Sequence, residues 1–192
     1  MGTSGLCIRV DDEIELRLHE LRYAEAYHAL IVRNIEHLRE WMPWAAEEQT
    51  LEGTRNFMSS AMHRFADGTG LPTNLWYRGQ LVGSIGYPRM SWQTRQAEIG
   101  YWLDKDMQGK GIITRATGAL VTYAFEELGL NKVEIHAASG NYRSRAVPER
   151  LGFKQEGALR QNVWVNGQVY DMIIYGMLAN EWHPSTDMGV LP

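Results

Sequence analysis

The hydrophobic period of this chain changes abruptly at one place, and that junction is its most constraining feature. Before it, residues 74–78 (NLWYR), 80–87 (QLVGSIGY) and 95–103 (RQAEIGYWL) read as strands, the first two joined by a tight turn at Arg78-Gly79. After it, Ile112, Ile113, Ala116, Ala119, Leu120, Tyr123, Ala124 and Leu128 recur at helical spacing, with Gly129 placed as a C-cap. The junction itself is LDKDMQGKGIITRAT, Leu103 to Thr117. A strand ends, a polar turn follows, and a helix opens on Gln108-Gly109-Lys110-Gly111-Ile112. Glycines there let a ligand approach the backbone, and a helix start presents unpaired N–H groups and the positive end of its dipole. Together they make an anion site suited to phosphate. The alternative is a glycine-rich helix start with no ligand.

Two familiar phosphate motifs fail. A Walker A loop needs Ser or Thr after its Gly-Lys, and Lys110 is followed by Gly111. A dinucleotide fingerprint needs Gly or Ala where Thr114 stands, and prefers a βαβ unit at the start of a chain.

The remaining pattern sets the architecture. Residues 6–10 and 13–18 read as strands around a DDE turn, and Arg22 to Trp41 as one amphipathic helix ended by Pro43. Thr50 caps a second helix running to Asp67-Gly68, and GTGLP is a loop. Residues 131–138 read as a strand and 141–151 as a short helix. Strands 153–165 and 168–178 meet at Asn166-Gly167, a type I′ hairpin signal. This order is an α+β fold, a mixed sheet with helices over its faces. The 192 residues fit one domain, expected over 1–182, with a loose tail at 183–192.

Composition removes several function classes. The formal charge of −4 argues against a nucleic-acid partner. Cys7 is the single cysteine, so no internal disulfide forms and a reducing, cytoplasmic setting is expected. No apolar run reaches the ~20 residues that span a bilayer, and the first residues carry no secretory pattern. The six histidines show no ligand spacing, so no metal is expected.

The junction resembles the pyrophosphate-binding loop of GNAT N-acetyltransferases, whose pattern is Gln/Arg, two residues, Gly, one residue, Gly/Ala. Gln108, Gly111 and Ile113 stand at those places, and Ile113 departs from the pattern. AEIGYWL (97–103) resembles the family's central strand, and NYRSRAVPERLGF (141–153) its second cofactor segment. LREWMPW (38–44), EIGYWLD, QGKGI, the Asn-x-x-Ser start at Asn141 and GALRQNVWVNGQVYDMIIYGML (157–178) are similar to the RimJ/RimL branch, which acetylates protein N-termini. The likeness spans roughly residues 10–180.

The resemblance implies a single-domain, mostly antiparallel mixed sheet with a splayed central strand pair. It implies direct transfer of acetyl from acetyl-CoA to a primary amine, a protein or peptide α-amine first. Two alternatives stay open: a small amine (antibiotic, polyamine or aminoacyl nucleotide) as acceptor, or a non-catalytic acyl-CoA sensor. A monomer or a homodimer is expected.

Residue roles follow from the same likeness. Gln108, Gly109, Lys110, Gly111, Ile112, Ile113 and Thr114 would hold the pyrophosphate, with added charge from Lys110 and Arg115 unless these are solvated surface cations. Tyr101, Trp102 and Leu103 lie on the splayed strand, whose free backbone groups would pair with the pantetheine arm. An N–H near Trp102 or Leu103 would serve as oxyanion donor. Asn141 would orient a pantetheine amide or simply cap its helix. Many members carry a tyrosine acid at the place of Pro148, and Ser144 is then the partner of the leaving thiolate, or a helix cap. Pro148 also leaves the Ser144 carbonyl without a helical donor and the first turn loose.

An α-amine of pKa ~7.8 needs only about 1 kcal/mol to become neutral at pH 7, against about 4.6 for a lysine amine. A weak base or water suffices, and Glu98 is the base candidate, or else a paired structural carboxylate. Relatives often carry glutamate at the place of Val163, which takes no proton. The acceptor wall would hold Trp41, Trp44, Arg160, Tyr170 and Asp171. Trp41 also continues a core stripe, and Asp171 has an ion pair with Arg160 as its alternative.

Overall fold

The computed structural model describes residues 5–184. The tail expected from His183 therefore lies, from residue 185 on, outside the described residues. Eight strands form one sheet in the order β1-β2-β3-β4-β5-β6-β8-β7. They are β1 (Cys7–Arg9), β2 (Ile14–Leu18), β3 (Leu71–Tyr77), β4 (Gln80–Ser91), β5 (Gln96–Leu103), β6 (Lys132–Ala138), β7 (Lys154–Val165) and β8 (Gln168–Leu178). Helices α1 (Ala24–Arg33), α2 (Ile35–Arg39), α3 (Leu51–Ala66), α4 (Ile112–Thr122) and α5 (Tyr142–Arg150) flank it. This is the expected α+β fold.

All neighbouring strands run antiparallel except β5 and β6. A parallel pair requires a long crossover, and α4 supplies it. Pairing of β5 with β6 runs from Gln96 opposite Lys132 to Ile99 opposite Ile135 and stops. Beyond that point β5 bonds only to β4, through Leu103 opposite Gly83, and β6 only to β8, through Ala138 opposite Met172. The central strands splay as expected, and Gly100–Leu103 keep one unpaired backbone edge.

The two faces bury different helices. Leu16, Leu75, Ile85, Ala97, Ile99, Val133 and Ile135 pack with Ile112, Ala116 and Leu120 of α4. Tyr27, Leu30, Ile31, Leu38 and Met58 pack with Trp102 in a second cluster on α1–α3. Alternation along β5 thus sends Ile99 to one face and Trp102 to the other.

Local structure differs from expectation at several places, and β4 runs on to Ser91 rather than ending at residue 87. The helix expected over 22–41 breaks at Asn34. Asn34 is buried, its Nδ2 donates to the Leu30 carbonyl at 3.0 Å, and its Oδ1 accepts the Lys105 N–H at 3.0 Å. A side chain that competes for backbone groups in this way interrupts a helix. β3 begins at Leu71 rather than in a loop, because Pro72 needs only an acceptor role there: its carbonyl takes the His19 N–H at 3.1 Å. β7 carries a bulge between Leu159 and Val163, with Gln161 at φ 50°. The β7–β8 turn matches expectation, with Asn166 and Gly167 at φ 51° and 72°.

Candidate active site

The splay, the glycine-rich loop and α5 surround a cavity of about 900 Å³. Its floor is Tyr101, Trp102 and Leu103. The loop contributes Gln108, Gly109, Gly111, Ile112, Ile113 and Thr114. Asn141, Ser144 and Arg143 come from the start of α5, and His37, Glu40 and Trp41 from the end of α2.

The loop is shaped by backbone conformation rather than crowding. Gly109 and Gly111 sit at φ 76° and 69°, and a Cβ on either would meet nothing within 4 Å. The space beside them is open. Helix α4 starts directly after Gly111 with no side-chain cap, so its first-turn N–H groups are left for another acceptor. Uncapped N–H groups, open space at the glycines and the free β5 edge suit a ligand that carries phosphate at one end and amides along its length.

The loop is tied to both walls. Asp104, buried at the end of β5, pairs with Arg33 and accepts the Asp106 N–H at 3.2 Å. Arg143 donates to Gln108 Oε1 at 2.9 Å, which turns the Gln108 amide nitrogen toward His37 Nε2 at 2.8 Å. Gln108 thus links the start of α5 to His37 on α2.

Opposite the loop, Tyr101 and Ser144 form a reciprocal pair. The Tyr101 hydroxyl donates to the Ser144 carbonyl at 2.9 Å, and Ser144 Oγ donates to the Tyr101 oxygen at 3.2 Å. Pro148 deprives that carbonyl of a helical partner, and Tyr101 supplies one, so this turn is not loose as expected. Burial pushes the Tyr101 hydroxyl above its ordinary range, which keeps it protonated at neutral pH. Asn141 Oδ1 accepts the Ser144 N–H at 3.1 Å, so Asn141 caps α5 while also lining the cavity.

Several residues named from the sequence stand apart from the lining. Glu98 accepts from Arg89 Nε at 3.0 Å and Nη2 at 2.7 Å, and lies 3.8 Å from His136. The Lys110 ammonium lies 3.4 Å from Met107 Sδ. Arg115 bonds Asp11 at 2.6 Å and Glu13 at 3.1 Å, so its charge is used on the β1–β2 turn. Trp44 is 37% exposed in the Pro43–Ala46 turn. Tyr170 packs on Trp41 with ring centroids 5.3 Å apart. A Cβ at Gly140 would come within 2.7 Å of Tyr170 and 3.0 Å of Trp41, so both rings press on the turn before α5. Asp171 Oδ1 accepts the Gln161 N–H at 2.9 Å and so holds the β7 bulge. Among the described residues it makes no ion pair with the exposed Arg160.

Sequence reasoning missed His37, Glu40, Arg143 and Arg150. His37 and Glu40 belong to a stretch read for its apolar stripe, and Arg143 and Arg150 to a helix read only through Asn141 and Ser144.

With this geometry in place, likeness to known proteins is specific. Residues 13–154 match the family described as Acetyltransferase (GNAT) domain. The chain is 43% identical to the Putative ribosomal N-acetyltransferase YdaF of Bacillus subtilis, over 91% of this chain and 96% of that protein. A solved structure of RimL, a ribosomal L7/L12 α-N-protein acetyltransferase in complex with coenzyme A, superposes with a TM-score of 0.87 at 25% identity, covering 90% and 98% of the two chains. The microcin C7 self-immunity acetyltransferase MccE, in complex with acetyl-CoA and AMP, superposes with a TM-score of 0.85 at 30% identity, covering 92% and 97%. The chain belongs to the GNAT acetyltransferase family. It is an acetyl-CoA-dependent N-acetyltransferase. Among the described residues no helix is long and apolar enough to cross a membrane, and no cluster of side chains is arranged to hold a metal ion.

Proposed function

We propose that the acceptor is the N-terminal α-amine of a protein, a ribosomal protein first, with the reaction in the cytoplasm. One observation carries this reading: the same cavity is lined by the glycine-rich loop Gln108–Thr114, by the aromatic ring of Trp41 and by Ser144. YdaF and RimL, similar over nearly the whole chain, carry the names putative ribosomal N-acetyltransferase and ribosomal L7/L12 α-N-protein acetyltransferase.

In this reading the N–H groups of Gly109 to Thr114 hold the pyrophosphate of acetyl-CoA, and Lys110 adds charge from the flank. The open edge of Tyr101–Leu103 pairs with the pantetheine amides, and a backbone N–H at Trp102 or Leu103 polarises the thioester carbonyl. The amine nitrogen forms the new C–N bond as the C–S bond breaks. The amine proton leaves through water, since the Glu98 carboxylate is engaged by Arg89 and an α-amine needs little help to lose it. Ser144 Oγ turns from Tyr101 to protonate the departing sulfur and is reprotonated from water. Trp41 and Tyr170 shape the acceptor side, and Trp44, Arg160 and Asp171 contact the chain beyond the amine.

A second reading, acetylation of an aminoacyl nucleotide, is favoured by the Trp41–Tyr170 pair, which offers a ring face for a base to stack on. One assay separates them. The protein is mixed with acetyl-CoA, peptides with free Ser, Ala or Met termini, polyamines and aminoacyl-adenylate mimics, and products are read by mass spectrometry. Acetylated peptide termini support the proposal. Product only on the small amines overturns it.

A further inference from the structure

We infer that Glu40 is the acceptor-recognition carboxylate, holding the positive charge of the incoming amine beside the Trp41 ring. The inference rests on the proposed peptide reading. Glu40 is the only Asp or Glu among the residues lining the cavity. It follows α2 directly, next in sequence to Trp41, and it is exposed to solvent.

Four neighbouring carboxylates are committed elsewhere. Glu36 accepts from Arg39 at 2.8 Å, Glu98 from Arg89 at 2.7 Å, and Asp171 from the Gln161 N–H at 2.9 Å; Asp104 is paired with Arg33. Arg39, the cation next to Glu40, is itself used up on Glu36 and on the Ala45 carbonyl at 3.0 Å. Among the described residues Glu40 makes no salt bridge and no side-chain hydrogen bond. Its charge is therefore available to a ligand.

The charge layout of the cavity agrees. Arg143, Arg150 and the uncapped start of α4 lie toward α5 and the loop, where anions are favoured. Glu40 gives the α2 wall the opposite sign. Among the described residues Glu40 is thus the one negative side chain in a lining that also carries Arg143 and Arg150. The Trp41–Tyr170 pair adds a ring face, the usual companion of a carboxylate in ammonium recognition. Glu40 thus acts on acceptor binding and not on acetyl-CoA.

The test uses a peptide that the wild-type enzyme acetylates, made in two unreactive forms. One carries a trimethylated N-terminus and keeps its charge, and the other is the neutral des-amino peptide. Both are measured as inhibitors against wild type, E40Q and E40D. Wild type should bind the charged form about five-fold more tightly, the scale of an exposed ion pair with an aromatic contact. E40Q should abolish that preference and leave the acetyl-CoA KM unchanged, and E40D should retain part of it. The same preference in E40Q as in wild type overturns the inference while leaving the peptide reading intact. Absence of any peptide product from wild type overturns the peptide reading, and this inference with it.

Discussion

The Tyr101 hydroxyl occupies the Ser144 carbonyl that Pro148 leaves without a helical donor, and Ser144 Oγ donates back to the same tyrosine oxygen. A proline inside α5 thus creates the acceptor that anchors the helix start to the splayed strand. Ser144 is held at the point where β5 and β6 part.

Two substitutions separate the roles of this pair. Ser144→Ala should lower kcat about 100-fold, the lower end of general-acid effects, with acetyl-CoA affinity within about two-fold of wild type. Tyr101→Phe leaves the part-buried Ser144 carbonyl without its donor and should lower stability by about 1 kcal/mol. Steady-state kinetics with calorimetric binding check the first, and urea unfolding the second. Equal kcat in Ser144→Ala would remove the serine from proton transfer.

The open glycines make a different prediction. At φ 69°, Gly111→Val forces a β-branched residue into the left-handed region, at a cost of about 1–3 kcal/mol. Its side chain meets no protein atom within 4 Å at the Cβ, so it would project into the space given to phosphate. Acetyl-CoA binding should weaken at least about ten-fold. Isothermal titration of the folded variant reads this directly.

The Asn34 break places the acceptor wall. Asn34→Ala removes the bonds to Leu30 and Lys105 that join the α1–α2 corner to the end of β5. Loss of one buried and one part-buried hydrogen bond should lower stability by about 2 kcal/mol. The acceptor KM should rise more than the acetyl-CoA KM, because α2 carries His37 and leads directly into Glu40 and Trp41. A parallel rise in both would mean that the corner positions the loop instead.

His19 makes stability depend on pH. Burial lowers its pKa from 6.5 to about 4, and its ring packs edge-on against Tyr27 and Phe57. Between those values the unfolded chain binds a proton that the folded chain refuses, so stability is full above pH 6.5 and declines as pH falls toward 4. The decline should reach about 3 kcal/mol. Urea melts at pH 7 and pH 4.5 should show it in wild type, and a much smaller drop in His19→Gln.

Much of this fold was legible because its signals are local. The Asn166-Gly167 dipeptide specifies its hairpin through two positive φ values, and the change of period at Gly111 marks the start of α4. The break at Asn34 was not legible, because its cause is the Lys105 N–H, brought close only by the fold. The site divides the same way. The loop could be read from its glycines. The partnership of Tyr101 with Ser144 joins a strand to a helix 43 residues away, and no spacing rule encodes it. Glu98 drew attention as a carboxylate on the central strand, but the β4 bulge aligns Arg89 opposite it, and that pairing depends on strand register.

The choice between an α-amine and a lysine amine is read most directly by locating the acetyl group on a single peptide that offers both. The peptide carries a free N-terminal serine and an internal lysine, is incubated with the protein and acetyl-CoA, and is fragmented in a mass spectrometer. Acetyl on the terminal nitrogen and an unmodified lysine are expected. Acetyl on the lysine Nζ, or an unmodified peptide beside an acetylated small amine, would contradict the α-amine reading.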